Sequence, residues 1–98
     1  MFYCYILFSK KLDRFYVGST SLSPKIRLER HLNQYYGKNK FTANANDWVL
    51  FLEIKCSSIN QSLLIEKHIK KMKSKIYIRN LSKYEEMISN LKQKYIDC

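Results

Sequence analysis

Two aromatic runs, FYCYILFS (residues 2–9) and FYVGST (residues 15–20), stand so close in sequence that only a short polar segment, KKLDR, can join them. The first is rich in aromatic and branched side chains and predicts a buried strand. The second is a strand interrupted by Gly18, and the pair reads as a β-hairpin. In an antiparallel pair, positions equidistant from the turn lie opposite or diagonal to one another. A turn centred near Lys11 and Leu12 therefore brings Tyr5 and Tyr16 to one face of the sheet. Two phenols so placed either pack a core or share a site.

Beyond the hairpin, Ser23 can cap a helix and Pro24 suits its first position. That helix, PKIRLERHLNQYY, closes at Gly37. KNKFTANAND is a polar loop, and Trp48 to Lys55 is a third strand. A second helix is expected from about Gln61 to Lys73, with an apolar stripe of Leu64, Ile65, His68, Ile69 and Met72. KIYIRNL reads as a turn. A last helix follows from Lys83 to about Ile96, with Tyr84, Met87, Ile88, Leu91 and Tyr95 inward. The order ββαβαα predicts an α+β fold, a small three-stranded antiparallel sheet flanked by helices. At 98 residues there is room for one domain. Its core is expected at about 2–80, with the C-terminal helix at about 83–96.

Charge narrows the function classes. Eighteen Lys and Arg oppose eight Asp and Glu, a net charge of +10. A field of that sign draws polyanions, nucleic acid first and anionic lipid second. The last helix carries Glu85 and Glu86 near its start, which argues against a basic membrane-surface helix. Cys4, Cys56 and Cys98 show neither zinc spacing nor a disulfide framework. Cys4 and Cys56 read as small core hydrophobes in a reducing cytoplasm. MFYCYILFSKK has no basic leader and too short an apolar run for a signal peptide or a span. The expected location is cytoplasmic, nucleoid-associated if bacterial, with no membrane.

Four features could carry chemistry, each with a plainer alternative. Gly18 marks either a close approach to the backbone or a bend. Arg27 and His31, four apart, share a helix face beside Arg30, which suits binding and protonating a phosphate or simply a solvated basic face. Glu66, inside a lysine-rich helix, could hold a hard cation or pair with Lys70 at i,i+4. The tyrosine pair is the fourth.

Taken in order, these features resemble the GIY-YIG nuclease family. Tyr3-Cys4-Tyr5 stands for its first tripeptide and Tyr16-Val17-Gly18 for its second. The Arg27/His31 helix, the Trp48 strand and the Glu66 helix then follow in the family's order over residues 2 to about 80. EKHIKKMKS after the third strand is similar to the small stand-alone URI branch. The resemblance implies metal-dependent hydrolysis of DNA phosphodiester bonds by an endonuclease. Glu66 would hold one Mg²⁺ or Mn²⁺, and Arg27 would bind the phosphate. Tyr5 and Tyr16 would position or deprotonate the attacking water, Tyr16 being the first choice as base, and His31 would assist proton transfer. An ordinary phenol titrates near about pH 10, so a base of this kind needs a metal or lysine beside it. Ser19 stands where repair relatives carry a lysine, and the family's late asparagine has no clear counterpart, Asn80 being nearby.

Without a DNA-recognition module, the enzyme would be structure-preferring or weakly sequence-specific. Gly18, Arg30, Lys38, Lys40, Lys70 and Lys73 would grip backbone, joined by Lys71 and Lys75, and Tyr35, Tyr36 and Phe41 could stack on bases. The alternatives are a catalytically weak or inactive nucleic-acid-binding module, or a subunit active only with a protein partner that targets it. Monomer or weak dimer is expected. DNA repair, recombination, restriction and mobile-element use all accommodate such an enzyme.

Overall fold

The first aromatic run becomes the middle of the sheet. The computed structural model describes residues 2–21, 25, 26, 28, 29 and 47–96. In it β1 (Phe2–Ser9) lies between β2 (Arg14–Thr20) and β3 (Val49–Cys56), antiparallel to both. Side chains alternate across a strand, so a middle strand covered on both faces must be apolar throughout. Cys4, Tyr5, Ile6 and Leu7 accordingly are all fully buried. Tyr5 and Leu7 meet Trp48 in a small cluster with Leu12, Leu28 and Leu50 against it. Cys4 and Ile6 enter the larger cluster with Val17, Ile54, Ile65 and Ile69. Each such side chain contributes about 1.5–3 kcal/mol by leaving water.

The hairpin turn is fastened from a distance. Asp47, just before β3, accepts from Ser9 Oγ at 2.6 Å and from the Lys11 backbone N–H at 2.8 Å. Both bonds hold the Asp47 carboxyl below the usual carboxylate range, that from Ser9 more strongly.

Three helices follow β3: α1 (Ile59–Met72), α2 (Lys75–Lys83) and α3 (Glu85–Lys94). Ser58 caps α1, its hydroxyl accepting from the Gln61 N–H at 3.1 Å. Gln61 is buried, takes the Ser57 N–H on Oε1, and donates Nε2 to the Lys92 carbonyl at 2.9 Å, which ties α3 to α1. Lys25, Ile26, Leu28 and Glu29 are helical too, where the first helix was expected. The rest of that helix, with Gly37 and most of the loop after it, lies outside the described residues. Among the described residues no helix is long and apolar enough to cross a membrane.

Two expectations are corrected. KIYIRNL is not a turn but most of α2. Ser74 caps that helix by accepting from the Tyr77 N–H at 3.1 Å, and Ile78 and Leu81, three apart, are buried. Tyr84 does not point inward: it is the extended residue between α2 and α3 and is 48% exposed. The last helix starts at Glu85, and its packed stripe is Met87, Ile88 and Leu91, with Tyr95 just beyond its end.

Candidate active site

Hairpin register sets the tyrosines. Tyr5 lies opposite Gly18 and Leu7 opposite Tyr16, so the phenols are diagonal neighbours on the face expected for them. Their ring centroids are 6.3 Å apart at 47°. Gly18 is explained by Tyr5. A Cβ at position 18 would stand 2.6 Å from the Tyr5 hydroxyl oxygen and 2.7 Å from the ring carbon bearing it. No other residue type leaves room for the phenol. The close approach read from the glycine is real, and the approaching group is the neighbouring strand's own tyrosine. Tyr5 is fully buried, whereas Tyr16 is half-buried and reaches the surface.

Glu66 arrives from the opposite face. The alternation that points Tyr16 and Gly18 one way points Ser19 the other, toward α1. Ser19 Oγ donates to Glu66 Oε1 at 2.6 Å, with the Ser62 carbonyl 3.0 Å from the same hydroxyl. Lys70, one turn further along α1, donates to Oε2 at 2.6 Å. The i,i+4 pair weighed for Glu66 is therefore formed. Its Lys70 end is 53% exposed and its Glu66 end 19%. An ion pair so open to water is worth about 0–1 kcal/mol, so the ammonium can exchange this oxygen for another anion at little cost.

Ser19 was missed as an anchor, although its signal was available. It follows Gly18 and so faces the helix side of β2. Cys4 lies opposite it. Burial pushes the Cys4 thiol well above the ordinary thiol range, with Cys56 and Glu66 adding to the effect and Lys70 opposing it. Cys4 and Cys56 are buried free thiols, unreactive members of the core.

Between β2, α1 and the start of α2 opens a cleft of about 470 Å³, with Tyr16, Lys70 and Lys73 on its walls. The structure thus brings Tyr5, Tyr16 and Gly18 together on one face of β2 and Glu66 with Lys70 on the other, and the cleft runs along the edge of that strand. Arg27, Arg30, His31, Lys38 and Lys40 lie outside the described residues. His68 belongs elsewhere: its Nδ1 is 2.9 Å from Tyr95 Oη, just past α3.

A divalent cation was expected at Glu66. Among the described residues no three His, Cys, Asp or Glu side chains come together. A lone carboxylate suits a hard ion that keeps most of its waters and takes substrate phosphate as a further ligand, the habit of Mg²⁺.

The family model of the GIY-YIG catalytic domain matches residues 1–85. No curated protein and no solved structure matches the chain. The matched segment holds the whole sheet, both tyrosines, Gly18 and the α1 carboxylate, and it takes in most of the 98 residues. This chain belongs to the GIY-YIG family of DNA endonucleases.

Proposed function

We propose that the chain is a metal-dependent endonuclease that hydrolyses DNA phosphodiester bonds through a single-metal mechanism, preferring a structure or reading sequence weakly. The observation that carries this reading is the Glu66 carboxylate, fixed on one oxygen by Ser19 and held on the other by an exposed, exchangeable Lys70, which lines the cleft along the edge of β2. Glu66 would be the protein ligand of one Mg²⁺ or Mn²⁺, which would supply charge against the phosphate and a stabilised leaving oxygen. In the reaction, water oxygen bonds to phosphorus, the bond to the leaving sugar oxygen breaks, and one proton passes from water to that oxygen.

Tyr16 is the better placed of the two phenols to orient or deprotonate that water, because it is partly exposed on the edge strand along which the cleft runs, whereas Tyr5 is fully buried. Tyr5, buried over Gly18, acts as a positioning residue that holds the hairpin and the Tyr16 ring. Lys70, released from Glu66, would turn to a phosphate oxygen. Arg27 and His31 are proposed as phosphate clamp and proton-transfer aid. DNA repair, with a partner for targeting, is one setting that fits.

A second reading has its own observation. Both Glu66 oxygens are already satisfied, as in a carboxylate that merely fastens α1 to β2, and the chain would then be a binding module. Cleavage of labelled single-stranded, duplex, flap and branched DNA, with Mg²⁺, Mn²⁺ or chelator, separates the two. The endonuclease predicts metal-dependent nicking that Glu66→Ala reduces at least about a hundredfold, with circular dichroism unchanged. No cleavage of any substrate, with tight salt-sensitive binding kept in Glu66→Ala, would establish the binding module.

A further inference from the structure

The cleft beside Glu66 is longer than one phosphate needs. Arg14, Lys70, Lys73 and Lys75 line it and no carboxylate does. Lys70 is paired with Glu66 and Lys75 with Asp13, at 2.6 and 2.9 Å. Arg14 and Lys73 make no ion pair among the described residues, although Asp13 is within electrostatic reach of Arg14, so the lining of the cleft carries an excess of positive charge. Its floor is apolar, with Val17, Ile69 and Ile78.

Shape says how an anion would lie there. Four consecutive β2 residues, Arg14 to Val17, line the cleft, so it runs parallel to the strand. β2 is at the border of the order β2-β1-β3, and the outer edge of such a strand presents backbone donors. Four strand residues extend about 10 Å, the axial rise of about three nucleotides in one strand of a duplex. Tyr16 belongs both to this row and to the proposed active site.

We propose that this cleft is the track for the nucleic-acid backbone on one side of the scissile phosphate, with Arg14 and Lys73 each neutralising one phosphate. The position of the scissile phosphate rests on the endonuclease reading; the track itself rests on the charge and run of the cleft. An acidic peptide would meet the same charge, but nothing in it continues toward Tyr16 and Glu66 as a cleavable strand does.

The test is fluorescence anisotropy of a labelled oligonucleotide, single-stranded and duplex, titrated at about 50 and about 200 mM salt. The variant is Arg14→Gln with Lys73→Asn. Asparagine is chosen because Lys73 has φ 47°, a left-handed conformation that asparagine tolerates. Lys83→Gln with Lys92→Gln removes the same charge away from the cleft and serves as control. Each phosphate contact contributes about 0.9 to the salt slope on duplex, so the fourfold rise in salt should weaken the parent roughly tenfold more than the cleft variant. The control should follow the parent. Thermal unfolding checks folding; if the double variant unfolds, Arg14→Gln by itself should lose about half of that effect on the logarithmic scale.

A cleft variant that tracks the control overturns the proposal, as does displacement of the oligonucleotide by polyglutamate at equal charge concentration. The two readings fail separately. Glu66-dependent cleavage with an unchanged cleft variant keeps the nuclease and removes the track. A lost slope in a protein that cuts nothing keeps the track and removes hydrolysis.

Discussion

Gly18 and Tyr5 compete for one space, and the conflict is resolved at the level of single atoms. The phenol lies where a Cβ would stand, with contacts of 2.6, 2.7 and 2.9 Å to its oxygen and two ring carbons. A buried ring against Leu7 and Trp48 cannot swing aside as a surface side chain would. Gly18→Ala should therefore destabilise the protein by about 1–3 kcal/mol, the range of overpacking in a filled core. Tyr5→Leu removes the obstructing atoms at its own cost in packing. In that background the same Gly18→Ala change should cost less by at least about 1 kcal/mol, because contacting residues do not behave additively. Urea unfolding of the parent, both single variants and the double variant measures the coupling. Additive costs would mean that the glycine is there for some reason other than the ring.

At the scale of elements, the last helix is docked through α1, and one of those contacts titrates. His68 Nδ1 meets Tyr95 Oη at 2.9 Å, and its ring packs near Tyr77 and Tyr95. Burial, then Lys94, then Lys71, hold its pKa below the ordinary imidazole value. A folded-state pKa below the unfolded one means that the unfolded chain binds the proton more readily. The contribution to stability is then complete above about pH 6.5 and lost as the pH falls through the interval below it. His68→Gln should flatten the stability change between about pH 7.5 and about pH 5.5, read as urea midpoints. Equal slopes in parent and variant would remove His68 from the account. The shifts of Asp13 and Asp47 are downward from carboxylate values and act at lower pH, outside this window.

The same elements mark what a sequence displays. The hairpin was legible because its turn, its register and its tyrosine face are all set within twenty residues. Glu66 stood out as a lone carboxylate beside an apolar stripe. The α2 helix was not legible, since Ile76, Tyr77 and Ile78 have the composition of a strand and the burial of Ile78 and Leu81 decides the matter from outside the segment. Nor was the Ser19–Glu66 bond, which joins positions forty-seven apart. The cleft needed Arg14 on one element beside Lys73 and Lys75 after another, a juxtaposition that only the packed structure supplies.

For the whole molecule the excess of positive charge sets the response to salt. Only two ion pairs, Lys70–Glu66 and Lys75–Asp13, form among the described residues. Both are open to water, so screening them costs little. Against them stands the mutual repulsion of a net charge of +10. The molecule measures 35 × 26 × 19 Å, and a Debye length of about 30 Å at 0.01 M lets charges repel across nearly all of it. At about 0.15 M that length is about 8 Å, and only neighbours interact. Repulsion destabilises the compact state, so the free protein should melt several degrees higher at about 0.15 M than at about 0.01 M sodium chloride. With a saturating oligonucleotide the sign should reverse. A ligand present at about a hundred times its Kd adds about 2.7 kcal/mol, and salt removes that term by weakening the complex. Melting curves at both salt concentrations, with and without DNA, decide the point: a free protein that melts lower in salt would show that its ion pairs outweigh its net charge, and a DNA-bound protein that melts higher in salt would deny that phosphate contacts hold the complex.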